Sequence, residues 1–164
     1  MKKISVPLAR QKNNYTCGHA CIIMVCKYFG LHVTQKEVMH ACDVSVEDLK
    51  KHGLPNRSVA VCLRKLGISC RQRKNSSIVH LTDIAGEVPI IVAYSGRTVA
   101  WGHFAVVTGV DHNRLIFNDP ISGENFSLTT SDFSKRWRSA YENSHRWMCV
   151  ATGLPSDGRS NKKR

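Results

Sequence analysis

The sequence is poor in acidic residues and lacks any long apolar run. Its 164 residues contain 12 Asp and Glu against 24 Lys and Arg, so the formal net charge is +12. No stretch approaches the roughly 18–20 apolar residues that a membrane-spanning helix requires. The first ten residues contain no apolar core of about 7–15 residues, so we expect no secretory signal peptide and a cytoplasmic protein. Delivery by a dedicated secretion system is left open.

The sequence also lacks a C-x-x-C pair, although it contains seven cysteines. We expect no disulfide framework, because a reducing cytosol keeps thiols free. Cys17 and Cys21 have the i, i+4 spacing of one helix face, but no further zinc ligands follow at a recognisable spacing. We therefore expect no metal and no cofactor. Cys62 and Cys149 lie in apolar runs and are predicted to be buried.

The chain length predicts one domain over residues 1–154, followed by a flexible basic tail at 155–164. Without that tail the net charge is still +9. The densest basic run contains no acid and has no aromatic residue for base stacking; its members are Lys50, Lys51, Arg57, Arg64, Lys65, Arg71, Arg73 and Lys74. A solvated basic face explains this run, and binding of nucleic acid or another polyanion is the alternative.

Helical patterns fill the first half of the chain. Residues 17–29 carry an apolar stripe that is followed by Gly30, a typical helix stop. Residues 34–37 form a capping-box pattern that opens a second helix through about residue 41. The same signal recurs at 45–48 for a short third helix. A fourth helix is predicted over 58–66, closed by Gly67.

Strand patterns dominate after Gly67. The predicted strands cover 68–72, 89–94, 103–110, 115–118, 126–128 and 146–152, with a small helix at 132–138. Turn-forming residues occupy 111–113 and 119–123. Helices followed by an antiparallel sheet predict an α+β fold.

Cys17 is the cysteine best placed for chemistry. It lies at the predicted start of the first long helix, where unpaired backbone N–H groups and the positive dipole end favour a thiolate. A thiolate nucleophile needs a base and an oxyanion stabiliser. Gln11 lies six residues upstream, close enough for its amide to reach the same site. The alternative is a buried structural cysteine at a helix end.

His103 opens an apolar strand and is the candidate base. If the hairpin turn is centred at 111–113, the numbers of facing residues sum to about 222–226. The position opposite His103 then lies near 119–123, with Asp119 at the close end. Neighbours on one face of adjacent strands lie about 5 Å apart, so an Asp119 carboxylate can accept a hydrogen bond from the imidazole.

Four other residues are weaker candidates. His19 lies two positions after Cys17, and such positions diverge on a helix. Asp111 would orient His103 only in a different hairpin register. His112 lies in the turn and is predicted to be exposed. Trp101 either shields the site from water or packs on the surface.

Residues 11–30, which read QKNNYTCGHACIIMVCKYFG, resemble the opening of the bacteriocin-processing peptidases. These double-glycine leader peptidases are papain-like cysteine proteases that are often fused to ABC transporters. Their pattern is a Gln, then Cys-Gly-x-Ala on a helix that ends in Tyr-x-Gly. GHFAVV at 102–107, NDP at 118–120 and Gly123 also match, and Phe133 and Trp137 resemble the Phe-x-x-x-Trp that follows in the family. The similarity runs from about residue 6 to residue 137.

The resemblance implies a papain-like fold, with N-terminal helices packed on a C-terminal antiparallel sheet. It also implies that Cys17 is the nucleophile, His103 the general base and acid, and Asp119 the residue that orients the imidazole. Gln11 would be the oxyanion-hole donor, helped by the backbone N–H of Cys17.

The implied activity is that of a bacterial cysteine peptidase, which cleaves a peptide or protein through a thioester acyl-enzyme, at a Gly-Gly-type leader site. The sequence contains no transporter, so we expect a stand-alone, monomeric domain, and a transporter acting in trans is left open as a partner. A papain-like acyl or amide transferase and a non-catalytic peptide-binding module are the alternatives.

Overall fold

The computed structural model of the protein describes residues 1–95, 102–139 and 144–155. Four helices precede most of the sheet: α1 (Cys17–Tyr28), α2 (Gln35–Cys42), α3 (Val46–His52) and α4 (Asn56–Lys65). Two further helices, α5 (Ile78–Ile84) and α6 (Thr130–Arg136), lie between strands. In these ranges no helix is both long enough and apolar enough to cross a membrane.

Local capping fixes the first helices where the sequence predicted them. Gly30 follows the end of α1 with a φ of 78°, a conformation that suits glycine. At α2 the capping box is complete: Glu37 N donates to Thr34 Oγ1 at 3.2 Å, and Thr34 N donates to the Glu37 carboxylate at 2.7 Å. At α3 the hydroxyl of Ser45 accepts from Asp48 N at 3.0 Å. The predictions for these three helices are confirmed.

The later helices differ from the prediction in bounds or were missed. Helix α4 begins two residues early, after Pro55, and α6 also begins two residues before the predicted start. Helix α5 was not predicted, because its seven residues are too few to show a helical period and its first turn lacks the acidic residue that α3 and α6 have. Its one local signal is Ser77, whose hydroxyl caps His80 N at 3.0 Å.

The strands form one antiparallel sheet and a separate small ribbon. The members are β1 (Lys2–Lys3), β2 (Ser69–Arg73), β3 (Ile90–Tyr94), β4 (His103–Asp111), β5 (Arg114–Asp119), β6 (Gly123–Thr129), β7 (Arg138–Ser139), β8 (Ser144–His145) and β9 (Met148–Gly153). The main sheet has the order β2-β9-β3-β4-β5-β6, and β1 pairs with β4. Strands β7 and β8 pair with each other. The α+β prediction is confirmed, although it lacked the two-residue strands β1, β7 and β8.

The central strands are buried on both faces of the sheet. Ile91 and Ala93 of β3 pack with α1, α2 and α4, whereas Ile90, Val92 and Tyr94 pack in a second cluster with residues of α5 and α6. Alternate side chains of a strand point to opposite faces, so a strand covered on both sides reads as a continuous apolar run. This explains why residues 89–94 show no polar alternation. The predicted burial of Cys62 and Cys149 is also confirmed.

The β4–β5 hairpin has the register that the sequence predicted. The numbers of paired residues sum to 225 near the turn and to 224 beyond a bulge at residue 108. Continued along the strands, this register sets Ala105 opposite Asp119. His103 lies two residues from Ala105, so His103 and Asp119 are diagonal neighbours on the same face of the sheet.

Residues 156–164 of the tail predicted at 155–164 lie outside the described residues, as does Trp101. The boundary between the domain and that tail stays a prediction.

Candidate active site

Cys17 is half-buried at the first position of α1. Thr16 precedes it, but the Thr16 side chain makes no capping bond to the helix; its Oγ1 accepts from Lys12 N and Asn13 N instead, at 3.2 and 3.4 Å. The first turn of α1 contains no acidic residue. The positive end of the helix dipole therefore acts on the sulfur without a neighbouring carboxylate on the same turn.

Gly18 lets α1 approach the strand that carries His103. A Cβ at this position would lie 2.9 Å from Leu54 Cδ2 and 3.3 Å from Phe104 Cδ2. Phe104 is the residue after His103 in β4. Only glycine permits this approach, so the Cys-Gly pair couples the position of the thiol to the start of β4.

His103 joins the thiol to a carboxylate. Its side chain is buried, and its Nε2 lies 2.9 Å from Asp119 Oδ2. Interaction with the Cys17 side chain also raises the pKa of the imidazole, so the thiol lies near the ring. Because Nε2 binds Asp119, Nδ1 is the nitrogen left to face the sulfur. The structure thus brings Cys17 close to the hydrogen-bonded pair of His103 and Asp119.

Asp119 is held by donors on both oxygens. It is 1% exposed, and its Oδ1 accepts from Ile121 N at 2.8 Å and from Ser122 N at 2.7 Å. Its Oδ2 accepts from Tyr94 Oη at 2.8 Å in addition to His103. The predicted turn at 119–123 therefore fixes one carboxylate oxygen, and the sheet fixes the other.

These contacts favour a charged imidazole beside a charged carboxylate. Burial opposes the charge on His103, but the hydrogen bonds to Asp119 and Cys17 outweigh it and raise the pKa of His103 to about 9. Burial likewise opposes the charge on Asp119, and the hydrogen bond and charge of His103, with the donors Ser122 N and Tyr94, lower its pKa to about 2. Asp119 is therefore ionised at neutral pH.

Gln11 lies on the N-terminal segment, which runs along the hairpin. Asn118 Nδ2 donates to the Val6 carbonyl at 2.6 Å, and Gln11 N donates to the Pro120 carbonyl at 3.4 Å. The Gln11 amide Nε2 donates one of its two hydrogens to the Asn13 carbonyl at 2.8 Å. The other hydrogen on Nε2 takes no part in this bond. Gln11 is thus tied both to the turn after Asp119 and to the loop before Cys17.

Tyr94 is the residue at this site that the sequence analysis missed. It pairs directly with His103 across β3 and β4, and it is 3% exposed. Burial and the charge of Asp119 raise the pKa of Tyr94, which therefore stays a hydrogen-bond donor at all ordinary pH values. The sequence contained one signal for Tyr94, which is the only hydroxyl in the apolar strand β3 and stands at the end of that strand. This strand pairs with β4, which begins at His103.

The structure separates the weaker candidates from the site. Asp111 bonds the N-terminal amine of Met1 at 3.3 Å and the ring of His112 at 3.2 Å, so it does not orient His103. The side chain of His112 is 89% exposed, as predicted for a turn. His19 is fully buried, burial lowers its pKa to about 4, and neither ring nitrogen has a hydrogen-bond partner among the described residues.

The spacing of Cys17 and Cys21 does not develop into a metal site within the described ranges. No group of three or more His, Cys, Asp and Glu side chains there could hold a metal ion. Cys21 is fully buried, and burial raises the pKa of its thiol well above the ordinary value. A buried neutral thiol is a packing residue rather than a metal ligand.

Solved structures share this fold at low sequence identity. A double glycine motif protease from an AMS/PCAT transporter, solved in complex with a leader peptide, matches with a TM-score of 0.70 and 21% identity, over 92% of this chain and 95% of that one. The peptidase domain of Streptococcus ComA, a bi-functional ABC transporter, matches with a TM-score of 0.69 and 21% identity, over 92% of this chain and all of that one. At these identities the match shows the fold alone.

Curated relatives are much longer than this chain. The sublancin-168-processing and transport ATP-binding protein SunT of Bacillus subtilis is 24% identical over 140 residues, which cover 83% of this chain and 18% of SunT. Lactococcin-G-processing and transport ATP-binding protein LagD of Lactococcus lactis is 25% identical over 138 residues, which cover 84% of this chain and 18% of LagD. The chain spans less than a fifth of the length of these relatives.

The fold and the family match define a cysteine-type peptidase. The model of the Peptidase C39 family matches residues 5–141 of the chain. The chain therefore belongs to the Peptidase C39 family. This membership confirms the resemblance to the bacteriocin-processing peptidases and the prediction of a cysteine peptidase.

Proposed function

We propose that this chain cleaves a peptide or protein substrate at a Gly-Gly-type leader site, through a thioester acyl-enzyme on Cys17. His103 is the general base and acid, Asp119 orients it, and Gln11 supplies the oxyanion hole. The observation that carries the proposal is the 2.9 Å hydrogen bond between His103 Nε2 and the buried Asp119 carboxylate, on an imidazole whose pKa is also raised by the half-buried Cys17.

Acylation begins as His103 takes the proton of Cys17, which leaves a thiolate beside an imidazolium. With the pKa of His103 raised to about 9, the imidazole keeps at neutral pH the proton that it takes from Cys17. The sulfur attacks the scissile carbonyl carbon and forms a tetrahedral intermediate. Nδ1–H of His103 then protonates the leaving amine as the C–N bond breaks, which leaves the acyl group on Cys17 as a thioester.

The oxyanion of that intermediate is bound by two donors. One is the backbone N–H of Cys17, on the first turn of α1, where no side chain caps the helix. The other is the Gln11 amide, which is braced by its bond to the Asn13 carbonyl. Donors that are fixed before the charge develops cost little reorganisation in the transition state.

Deacylation returns the enzyme to its starting state. His103, now neutral, accepts a proton from water, whose oxygen attacks the thioester carbonyl. The C–S bond breaks, and the thiolate is restored beside the imidazolium. An amine in place of water would give a new amide, so the ratio of hydrolysis to aminolysis separates a peptidase from an acyl transferase.

The proposed substrate and partner follow from the proteins that this chain resembles. One solved neighbour is a double glycine motif protease bound to a leader peptide. The curated relatives are named as processing and transport proteins. We take a Gly-Gly leader as the substrate and a transporter, fused or acting in trans, as the partner, with the peptidase domain itself monomeric.

A peptide library tests the proposed reaction. Wild type and Cys17→Ala are incubated with leader–cargo peptides that carry Gly-Gly at the junction, and products are read by mass spectrometry. We expect the wild type to cut after the second glycine and the Cys17→Ala variant to be inactive. Cys21→Ala is the matched control, because it removes a thiol one helical turn away and should retain activity.

The same reactions decide between the alternatives. Cleavage by Cys17→Ala would show that the thiol is not the nucleophile. Binding of leader peptides by both proteins without any cleavage would identify a binding module instead of a peptidase. A dominant amide product in the presence of an added amine would identify an acyl transferase.

A further inference from the structure

Tyr94 is a buried polar group that the proposed reaction does not use. Its hydroxyl binds the same carboxylate oxygen as His103. We propose that Tyr94 is a positioning residue, which fixes the Asp119 carboxylate and, through it, sets the orientation and basicity of His103. This inference rests on the proposed function, because it assigns a role in the same site.

The position of the Tyr94 hydroxyl is determined by the packing of its ring. The ring stacks on Phe117 with centroids 6.0 Å apart and contacts Phe133 at 5.8 Å. Its edge meets the imidazole of His103, with centroids 5.6 Å apart. A ring confined in this way cannot turn its hydroxyl elsewhere, and a buried tyrosine hydroxyl needs a partner.

The direction of the hydrogen bond follows from the ionisation of Asp119. Asp119 stays charged at neutral pH, so it can only accept, and the Tyr94 hydroxyl must donate. Oδ1 is already occupied by two backbone N–H groups. Tyr94 is thus a second side-chain donor to Oδ2, and it holds this oxygen in place beside the His103 ring.

The shared oxygen also has an electrostatic consequence. Tyr94 and His103 both donate to Oδ2, and an oxygen that accepts two hydrogen bonds binds each donor more weakly than it would bind one alone. Tyr94 therefore limits how strongly Asp119 holds the proton of His103. Removing the hydroxyl should raise the pKa of His103, a change of sign opposite to that caused by removing the carboxylate.

Tyr94→Phe tests the proposal with little change of shape. We expect kcat on a Gly-Gly leader peptide to fall about 3–10-fold, with KM changed less than about twofold. The fall is smaller than the full value of a hydrogen bond to a carboxylate, because the backbone N–H groups of Ile121 and Ser122 still hold Asp119. We expect the pKa of His103, followed by NMR of the imidazole, to rise. Tyr28→Phe is the matched control, because it removes a tyrosine hydroxyl at the far end of α1 and should change neither quantity.

Three outcomes would overturn the proposal. The first is an unchanged kcat in Tyr94→Phe, which would mean that the backbone donors alone hold Asp119. The second is a lower kcat with an unchanged pKa of His103, which would mean that Tyr94 acts only through packing. A lowered pKa of His103 would equally overturn the proposal, because Tyr94 would then strengthen the bond from Asp119 to His103 instead of limiting it.

The NMR titration needs no turnover, so it separates this inference from the proposed function. If the wild type cleaves no leader peptide, the proposed function fails. The shift of the His103 pKa in Tyr94→Phe still decides whether Tyr94 acts on His103 through Asp119.

Discussion

Replacing Asp119 with Asn changes one atom of a carboxylate that is held on both oxygens. The backbone N–H groups of Ile121 and Ser122 need an acceptor, so the amide oxygen of the introduced side chain should take the place of Oδ1. The amide NH2 then stands where Oδ2 accepted from His103. Two donors cannot share that contact, so His103 must present an unprotonated Nε2 to the amide and carry its proton on Nδ1, facing the sulfur.

The size of the effect follows from the pKa of His103. In the wild type it is about 9, so the imidazole is almost fully protonated at neutral pH. Without the carboxylate, burial is opposed only by Cys17, and we expect the pKa to fall to its ordinary value of 6.5 or below. At pH 7.5 the protonated fraction then drops at least about tenfold, and each further pKa unit removes another factor of ten. We therefore expect kcat to fall roughly 10–10³-fold.

The matched comparison is Asp111→Asn, at the other end of the same hairpin. The Asp111 side chain is 41% exposed and binds the N-terminal amine and His112, so its loss should change kcat less than about twofold. Both variants are assayed for kcat and KM on a leader peptide, and the His103 pKa is followed by NMR. Equal effects of the two substitutions, or a larger effect of Asp111→Asn, would refute the assignment of Asp119. An unchanged His103 pKa in Asp119→Asn would refute the electrostatic reasoning.

Two further predictions concern α1. His19→Leu should stabilise the protein by about 1–2 kcal/mol at pH 7 in urea unfolding, because it removes a buried imidazole that has no partner in the described chain. The folded-state pKa of His19 is lowered from 6.5 to about 4. The wild type should therefore lose up to about 3 kcal/mol of stability as the pH falls from 6.5 to 4, and the variant should not. Equal pH dependence of the two proteins would contradict this. Gly18→Ala should destabilise the fold by about 1–2 kcal/mol and lower kcat, because the new Cβ meets Leu54 and Phe104. Adding Leu54→Ala should restore much of the lost kcat, and a double variant as slow as Gly18→Ala would contradict the steric explanation.

The parts of the fold that the sequence predicted depend on contacts within a few residues. Thr34 and Glu37 close a capping box across three residues, and Ser45 caps Asp48 in the same way. Gly30 ends α1 because its φ of 78° suits glycine. Interactions of this range survive in any fold that contains the segment, so the residues alone indicate them.

The pairing of His103 with Asp119 was also within reach of the sequence. A tight turn between two apolar strands fixes their register, and the register fixes which side chains share a face. The bulge at residue 108 changed the sum of paired numbers only from 225 to 224, so the prediction held. Helix α5 and the two-residue strands carry too little pattern to be read in this way, and they were missed for that reason.

The tertiary structure alone decided which distant segments surround that pair. Tyr94 reaches Asp119 because β3 lies beside β4, and a strand order of β2-β9-β3-β4 inserts the last strand of the chain next to β3. Gln11 reaches the turn after Asp119 because the N-terminal segment runs along the hairpin and bonds Pro120. Tyr94 and Asp119 are 25 residues apart in the chain, and Gln11 and Pro120 are 109 residues apart. Only the burial of both sheet faces selects the strand order that brings these residues together.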